Sequence, residues 1–473
     1  MVIVLRILLT FSASYGIIIS YKKEGDSTMK KIISLFIIIC TLLSFVSCMG
    51  EKADNSVTTG GEETTLAPES DTETEGEHIP EGSFLLYDGD AFVPLFIRPD
   101  KVDSDTLALA VALRKKIEEL VPGDATLTIK DDYLKKDQQP AEFEMLIGNT
   151  NRDASVNAEA AIGNACGYSY TVNEKGVTVV GTIPAYTRDG IRAFTDEYLA
   201  NNLLEVDGKY YLKPASVTYV EENPSFCDVA VLCAKKGLTF DYTSEFMYNL
   251  AALGSHKSAQ GACVDKEGKY LYVSMQTNDV SSMAKYDLKT GERLALIEGT
   301  ATDHSNDMTF NAKTNSIIVV HNAPNYYRIS LFKGESMEKA RTADLKCKMN
   351  GLAYCEERDQ YAAGISGTWN FWVLDSNFQK VGGMESGINT GKTRQGLDCD
   401  EDYVYFIQSS ATGNSGNIIM IYSWQGEFLA RVELTHNTQE GETLMHVGNQ
   451  LYLHCNRGNG GAMYMLTPKM PTK

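Results

Sequence analysis

One pattern of polar and apolar positions recurs five times in the second half of the chain. Each copy has a polar residue followed by glycine or an acidic residue, then an apolar strand, a turn and a second apolar strand. The second member of the pair falls at positions 261, 307, 351, 396 and 441, in steps of 46, 44, 45 and 45 residues. A period of roughly 40–50 residues with several short strands is typical of β-propellers. The pattern therefore predicts a β-propeller over residues 225–473.

The number of strands in each copy indicates how many blades this propeller has. A third and a fourth strand-like run follow the first two, as at residues 418–422 and 428–432. Four antiparallel strands make one blade, so five copies favour five blades. The last copy ends soon after its third strand, and we expect residues 228–232 to complete it and so remove the open sheet edge. A six-bladed ring that uses residues 225–255 as an irregular extra blade is the alternative.

Residues 83–220 alternate between strand and helix periodicity. Apolar positions at helical spacing predict helices over residues 103–120 and 185–199, the first with capping oxygens at Asp103 and Ser104. Alternation of strands and helices is typical of an α/β layer domain. The predicted strands lie at residues 84–87, 93–97, 126–129, 143–147, 168–172 and 177–180.

This α/β domain resembles the small domain that precedes the catalytic barrel in α-glucuronidases. The resemblance is carried by residues 144–152 and by the strand–helix unit 177–199. In that family the domain is accessory, so the resemblance implies a polysaccharide context; no catalytic barrel follows it here. We expect Asn149, Asn151 and Arg152 to form a capped turn rather than a ligand site.

The N-terminus has the organisation of an export signal. Two lysines after Met29, an apolar run over residues 32–45 and the sequence Val46-Ser47-Cys48 fit a secretory signal over residues 29–48. It resembles a bacterial lipoprotein signal, in which Cys48 becomes the lipidated residue; a single uncleaved anchor helix is the alternative. Residues 1–28 fit poorly ahead of such a signal, so we expect translation to start at Met29.

The segment that follows the signal is rich in Gly, Ser, Thr and Glu. Residues 49–82 contain almost no large apolar side chain, and such a segment cannot bury enough surface to fold. We expect a disordered acidic tether there. A lipid anchor with a tether predicts a protein attached to the cell membrane, with its folded part facing outside.

Overall composition narrows the classes of partner and cofactor. The 473 residues carry a net charge of −19, which argues against nucleic acid because phosphate binding needs a basic surface. The ten cysteines show no CxxC spacing, and no phosphate-binding loop, dinucleotide fingerprint or GxSxG motif is present. We therefore expect no cofactor and no metal site. The sequence does not decide whether Cys227 and Cys233 form a disulfide.

The propeller region also resembles a known family. The phrases Gln395-Gly396-Leu397 and Glu440-Gly441-Glu442, with the strand at residues 403–406, are similar to the five-bladed propeller shared by a phage receptor-binding protein and teichoic-acid-associated cell-wall proteins. The resemblance implies a glycan-binding surface at the bacterial envelope.

Polar residues at the start of each copy form the candidate site. The innermost strands of a propeller begin around one mouth of its channel, so these residues converge although they are far apart in sequence. Amides can donate to and accept from sugar hydroxyls, and Arg394 is suited to a carboxylate or phosphate. We expect a polysaccharide or cell-wall glycan to bind here; that the amides only bond neighbouring backbones is the alternative. The predicted ligand-binding residues are Gln260, Asn306, Asn350, Arg394, Gln395, Glu440, His256, His304 and Trp369.

Two other functions remain open. Asp307, Glu440 and His436 are candidates for a general acid and base, which a polysaccharide-cleaving glycosidase or lyase would need. A protein–protein scaffold is a third interpretation. Binding without catalysis is favoured over both.

Overall fold

The structure is a computed structural model that describes residues 78–410 and 416–471. The predictions for residues 1–28, for the signal with Cys48 and for the tether up to residue 77 lie outside this part of the chain. The described residues all belong to one compact unit. Within these residues, none of the helices combines the length and hydropathy that crossing a bilayer requires.

The first part of the described chain is built on a six-stranded mixed sheet, with a three-stranded sheet beside it. The order in the larger sheet is β3-β2-β4-β6-β5-β9, and that in the smaller is β1-β8-β7. The four strands β3, β2, β4 and β6 are parallel, whereas β5 pairs antiparallel with β6 and β9. The strands are β1 Phe84–Tyr87, β2 Leu95–Arg98, β3 Ile129–Asp131, β4 Glu144–Ile147, β5 Gly167–Asn173, β6 Gly176–Gly181, β7 Leu203–Val206, β8 Lys209–Leu212 and β9 Ala215–Val220.

Helices accompany these sheets and begin at recognisable signals. The Asp103 carboxylate accepts hydrogen bonds from the backbone N–H groups of Asp105 and Thr106 and so caps the first helix. Pro184 occupies the first turn of the third helix, where its missing N–H costs nothing. The helices are α1 Ser104–Leu120, α2 Asp153–Ile162, α3 Pro184–Ala193, a π-helix Phe194–Leu199, α4 Ala200–Asn202 and α5 Phe226–Lys236.

The segment after β4 is a turn that leads into helix α2, but its predicted capping side chains bond other segments of the chain, and Arg152 makes no capping hydrogen bond at the start of the helix. Asn149 Nδ2 donates to the carbonyl oxygen of Gly181 at 2.7 Å. Asn151 and Arg152 both donate to the carbonyl oxygen of Asp132, at 3.0 and 2.9 Å. These polar side chains therefore tie the turn to the neighbouring segments that end at Gly181 and Asp132.

The second part of the described chain forms five four-stranded antiparallel sheets. Sheet 1 contains β11–β14, sheet 2 β15–β18, sheet 3 β19–β22 and sheet 4 β23–β26, and sheet 5 has the order β10-β29-β28-β27. Their spacing along the chain follows the sequence repeat. The strands are β10 Asp241–Leu250, β11 Ser258–Val264, β12 Tyr270–Thr277, β13 Val280–Asp287, β14 Arg293–Ile297, β15 Asp307–Asn311, β16 Ser316–Val320, β17 Arg328–Lys333, β18 Lys339–Asp344, β19 Met349–Cys355, β20 Gln360–Ile365, β21 Phe371–Asp375, β22 Lys380–Gly383, β23 Thr393–Cys399, β24 Tyr403–Ser409, β25 Asn417–Ser423, β26 Phe428–Leu434, β27 Glu440–Val447, β28 Gln450–Asn456 and β29 Gly461–Lys469.

A strand from before the first repeat completes sheet 5, but it is not the predicted one. Residues 228–232 belong to helix α5, whereas β10 pairs with β29 along its whole length. The helix forms because Ser225 and Asp228 make a capping box and Gly237, with φ 64°, ends it in the left-handed conformation. Residues 225–255 thus supply α5 and β10, and the described chain contains no sixth four-stranded sheet.

The eight described cysteines are buried free thiols. Cys227 and Cys233, which the sequence left open as a disulfide, lie on the same helix α5 and are not bonded to each other. The buried thiols contribute to the core as small apolar groups.

The first strands of the five sheets form a closed ring. Each contacts the first strand of the next sheet, and β27 returns to β11. The approach is close: a Cβ on Gly261 would lie 2.6 Å from the carbonyl carbon of Asp307 and 2.7 Å from its Cα. This mainly β arrangement of four-stranded sheets is propeller-like.

Helices α3 and α5 join the first part of the chain to sheets 4 and 5. One apolar cluster contains Tyr186 from α3, Phe226 and Leu232 from α5, Tyr405 from sheet 4 and Leu453 from sheet 5. The two parts therefore share a hydrophobic core.

Ion pairs lie beside this shared core. The Arg188 side chain, only 6% exposed, pairs with Asp103 at 3.1 Å and with Asp402 in the turn between β23 and β24. Arg192 pairs with Glu401 in the same turn at 2.5 Å. A buried charge needs such partners, so Arg188 specifies how the first part docks on sheet 4.

We expect Gly261→Ala to destabilise the protein by about 1–3 kcal/mol, because the new methyl group overlaps backbone that cannot move without opening the ring. Gly382→Ala, on the outer strand of sheet 3, is the matched control, since its Cβ would meet only the Val373 Cβ, at 3.8 Å. Urea unfolding of both variants measures the difference. Equal stabilities would contradict the close approach of the inner strands.

Candidate functional site

The ring has two ends, which differ in chemistry. We call the end where the first strands begin the upper mouth, and the end where they finish the lower mouth. The upper mouth carries the polar residues of the repeated pairs, and the lower mouth carries the turns that follow the first strands.

A collar of hydrogen-bonded side chains surrounds the upper mouth. Asn306 Nδ2 donates to the carbonyl oxygen of Asn350, and Asn350 Nδ2 donates to that of Arg394 at 3.3 Å. Gln395 Nε2 donates to Glu440 Oε1 at 3.0 Å. Each bond links one sheet to the next, so the structure brings these five predicted residues together.

Three further side chains belong to the collar and were missed from the sequence. Asn456 Nδ2 lies 3.2 Å from both Glu440 Oε2 and Ser258 Oγ, and Ser258 Oγ also accepts from Gln260 Nε2 at 3.2 Å. Asn322 Nδ2 donates to Asn306 Oδ1 at 2.7 Å. These three residues lie outside the repeated pair. Only a comparison of the polar residues at the strand ends of all five repeats could have predicted that they belong to the collar.

Irregular strand pairing accompanies the collar residues in most of the sheets. A β-bulge inserts an extra residue into one strand and reorients the side chains beside it. In sheets 1, 3 and 4 the bulge includes the polar residue of the pair, and in sheet 5 it falls on Glu442, directly after the pair. The register shifts lie between Ala259 and Ala262, Met349 and Gly351, Arg394 and Leu397, and Gly441 and Thr443.

Arg394 is a buried cation that has no carboxylate partner among the described residues. Its Nη1 donates to the carbonyl oxygen of Asn370 at 2.6 Å, and its Nη2 to Asn350 Oδ1 and the carbonyl oxygen of Ile365, both at 2.7 Å. Its Nε is buried and makes no hydrogen bond. Burial lowers the pKa of Arg394 to about 10, which leaves it charged at neutral pH.

Of the predicted histidine and tryptophan residues, three lie at the upper mouth and one does not. His256 and His304 precede the first strands of sheets 1 and 2, and half-buried Trp369 lies in the loop between β20 and β21, all at the upper mouth. His436 is exposed, and its ring packs edge-on against Tyr242 on the outer strand of sheet 5, with centroids 5.5 Å apart. The structure therefore does not bring His436 to the mouth.

Asp307, a predicted candidate for acid–base catalysis, lies inside the ring of first strands and not at its mouth. It stands where the other four repeats have glycine, and it is fully buried. Its Oδ2 accepts from the backbone N–H of Leu352 at 3.0 Å and of Leu397 at 3.2 Å, and the Thr443 hydroxyl donates to Oδ1 at 3.3 Å. Burial raises the pKa of Asp307 well above its usual range. Its contacts are those of a structural link between sheets.

Two glutamates of sheet 5 have unlike environments. Glu440 is half-buried in the collar, whereas Glu442, two residues later, is only 3% exposed. Burial and then the neighbouring charge of Glu440 raise the pKa of Glu442 well above the ordinary value for a glutamate.

Comparison with known proteins gives structural likeness only. No protein-family model matches the chain, and no curated protein sequence matches it. Among solved structures, the tail fibre of Staphylococcus aureus phage P68 is similar at 14% identity and a TM-score of 0.37, over 48% of this chain and 53% of the fibre. The chain thus spans about half the length of that fibre.

Two further structures belong to the same comparison. The WD40 repeats of RRP9 are 9% identical with a TM-score of 0.30, over 48% of this chain and all of theirs. A chain of a nidogen–laminin complex is 14% identical with a TM-score of 0.31, over 42% of this chain and 73% of that one. At these identities and TM-scores no function follows from the likeness.

As the pH rises, we expect the free energy of unfolding of the Asp307→Asn variant to increase relative to that of the wild type. An asparagine can keep both backbone N–H bonds without ionising. Because the native pKa of Asp307 is raised, the native state holds a proton that the unfolded state releases, so wild-type stability falls above about pH 4. The relative gain by pH 8 should be about 1.4 kcal/mol for each unit of pKa shift within that range.

Chemical unfolding at pH 4 and pH 8 measures this gain, with Glu335→Gln at an exposed position as the control. Asp307→Ala should lose about 1–3 kcal/mol at both pH values, because buried N–H groups lose their acceptor. A pH-independent difference between Asp307→Asn and the wild type would contradict a raised pKa.

Proposed function

We propose that the protein is a surface-anchored lipoprotein that binds a polysaccharide at the upper mouth of a five-bladed propeller. The observation that carries the proposal is the collar, in which amides and one carboxylate from neighbouring sheets converge around one opening. Polysaccharides present hydroxyls that both donate and accept, and amides match both roles. Glycan binding is therefore the function best suited to these side chains.

Unused hydrogen-bonding capacity in the collar supports this proposal. An amide has two N–H donors and a carbonyl oxygen with two lone pairs. Asn322 is half-buried, and it uses one donor, toward Asn306. Asn456 is also half-buried, and its Oδ1 accepts only from the backbone N–H of Gly458, at 2.9 Å. Such groups remain available to a ligand.

Arg394 and Trp369 suggest which glycans fit. A buried guanidinium with neutral partners favours a carboxylate or phosphate on the bound glycan, since it lacks a counter-ion within the described chain. Trp369 offers an aromatic face at the same mouth. An acidic cell-wall glycan is therefore the preferred ligand. Nucleic acid is not a proposed partner, because the net charge of −19 disfavours it.

The proposed protein has a five-bladed propeller, an accessory domain and a lipid anchor. The closed contacts of five first strands support five blades, with β10 joining the ends of the repeat region in sheet 5. Residues 83–220 are proposed as the accessory α/β domain of the α-glucuronidase type. Lipidation at Cys48, followed by the tether, would hold the folded part outside the cell membrane.

Two upper-mouth variants test the glycan site. We expect Trp369→Ala to weaken binding roughly five-fold, since a lost aromatic contact is worth about 1 kcal/mol, and Asn322→Ala to weaken it by a similar factor. Retention of the full chain on a panel of cell-wall and plant polysaccharides measures this, with Glu335→Gln as the control. Undiminished retention of both variants would contradict the site. Retention of no glycan at all, with a co-purifying protein, would favour a scaffold.

Polysaccharide cleavage is the second candidate, favoured by the Glu440–Glu442 pair. Acid–base catalysis at a glycosidic bond needs one protonated and one ionised carboxyl group, and unlike environments produce such a pair. Glu442 is buried with a raised pKa, and Glu440 accepts two amide N–H bonds.

Release of reducing or unsaturated ends, measured on the same panel, decides between binding and cleavage. If the protein cleaves, Glu440→Gln and Glu442→Gln should each lower the rate by about 100-fold or more while retention persists. No released ends from any polysaccharide would exclude cleavage of the panel and leave binding as the function.

A further inference from the structure

A cavity of about 400 Å³ lies at the lower mouth, the end opposite the collar. Its walls come from the ends of the first strands and the turns that follow them, in all five sheets. This volume is within the range of small-molecule sites, roughly 300–1,000 Å³. The cavity therefore has the size of a binding site.

His446 is held rigidly in the wall of this cavity. Its Nδ1 lies 2.8 Å from Asp398 Oδ2, the same oxygen accepts its backbone N–H at 2.8 Å, and the Tyr405 hydroxyl lies 3.1 Å from Nδ1. About 33% of the His446 side chain is exposed, and no described residue bonds its Nε2. The imidazole thus presents a free, oriented nitrogen.

The protonation of His446 follows from its partner. Burial lowers the pKa of His446, but the charge of Asp398 and the hydrogen bond to it outweigh this effect and raise the pKa to about 9. At neutral pH the free Nε2 therefore carries a proton and acts as a donor.

Several carboxyl groups in the cavity form no ion pair with a lysine or arginine of the described chain. Lys266 is paired with Glu356 at 2.7 Å, and Asp398 with His446. Asp400 caps its own turn by accepting two backbone N–H bonds, and Glu357 is exposed; neither forms an ion pair with a lysine or arginine. Asp265, Glu357 and Asp400 thus line the cavity without a lysine or arginine partner among the described residues. The nearest positive charge is His446, whose pKa Asp400 and Glu357 also raise. Burial raises the pKa of Asp400 to about 7.

We propose that this cavity binds a hydroxylated ligand that carries a primary amine, with the size of an amino sugar or its disaccharide. The ammonium group lies against Asp400 and Glu357, and His446 Nε2–H donates to a hydroxyl or ring oxygen. An organic ammonium fits better than a metal ion, because no group of three or more His, Cys, Asp or Glu among the described residues is placed to hold one. Anionic ligands are disfavoured by the same carboxylates.

This site is independent of the glycan site at the upper mouth, and its test separates the two. The full-length protein is titrated with the β-1,4-linked disaccharide of glucosamine, with its N,N′-diacetyl form and with glucuronic acid. We expect saturable binding of the first, at least ten-fold weaker binding of the second and none of the third. Equal binding of the acetylated form would overturn the role of the carboxylates.

Conservative variants locate the ligand. Glu357→Gln and Asp400→Asn should each weaken binding about ten-fold, the effect of losing one charged hydrogen bond. Asp400→Asn keeps the oxygen that caps the turn, and Glu357 is exposed, so thermal unfolding should match the wild type. Asn322→Ala at the upper mouth is the matched control and should bind normally. Weakening by Asn322→Ala alone, or no saturable binding of the diamine, would overturn the proposal.

Discussion

The five-sheet part of the chain depends on one constraint. The five first strands approach one another closely, and the Asp307 carboxylate lies among them. Four repeats have glycine where their inner strands meet, and a Cβ on Gly351 or Gly396 would lie 2.8 or 2.6 Å from an oxygen of Asp307. The single carboxylate accepts N–H bonds from sheets 3 and 4 and a hydroxyl from sheet 5. One acidic side chain therefore occupies the space that glycines leave free.

The same constraint explains why the two mouths differ. Above Asp307, polar side chains of bulged strands bond across sheets, which makes a collar of amides and one carboxylate, Glu440, beside buried Arg394. Below it, regular strands end in tight turns whose acidic residues cap their own backbone, as Asp265 and Asp400 do. One end thus suits hydroxyls and anionic groups, whereas the other suits a cationic ligand.

Repeat spacing predicted the four-stranded units and the convergence of the polar pairs, because both follow from local periodicity. It could not predict features that depend on tertiary contacts. Residues 228–232 looked like a strand, and capping at Ser225 made them helical. His436 was a candidate for acid–base catalysis, but it lies in the loop between β26 and β27, and its ring packs against Tyr242 on the outer strand of sheet 5. Asp398 lies on sheet 4 and His446 on sheet 5, and the two come together only when these sheets pack side by side. Sequence spacing therefore could not predict their pairing.

The most direct test of glycan recognition is hydrogen–deuterium exchange of the full-length protein with and without a retained polysaccharide. We predict slower exchange in the loops of the upper mouth, at residues 254–257, 301–306, 321–327 and 366–370. We predict no change in the turns of the lower mouth, at residues 265–269 and 356–359. Protection confined to the lower mouth or to the outer strand β10 would contradict glycan binding at the collar.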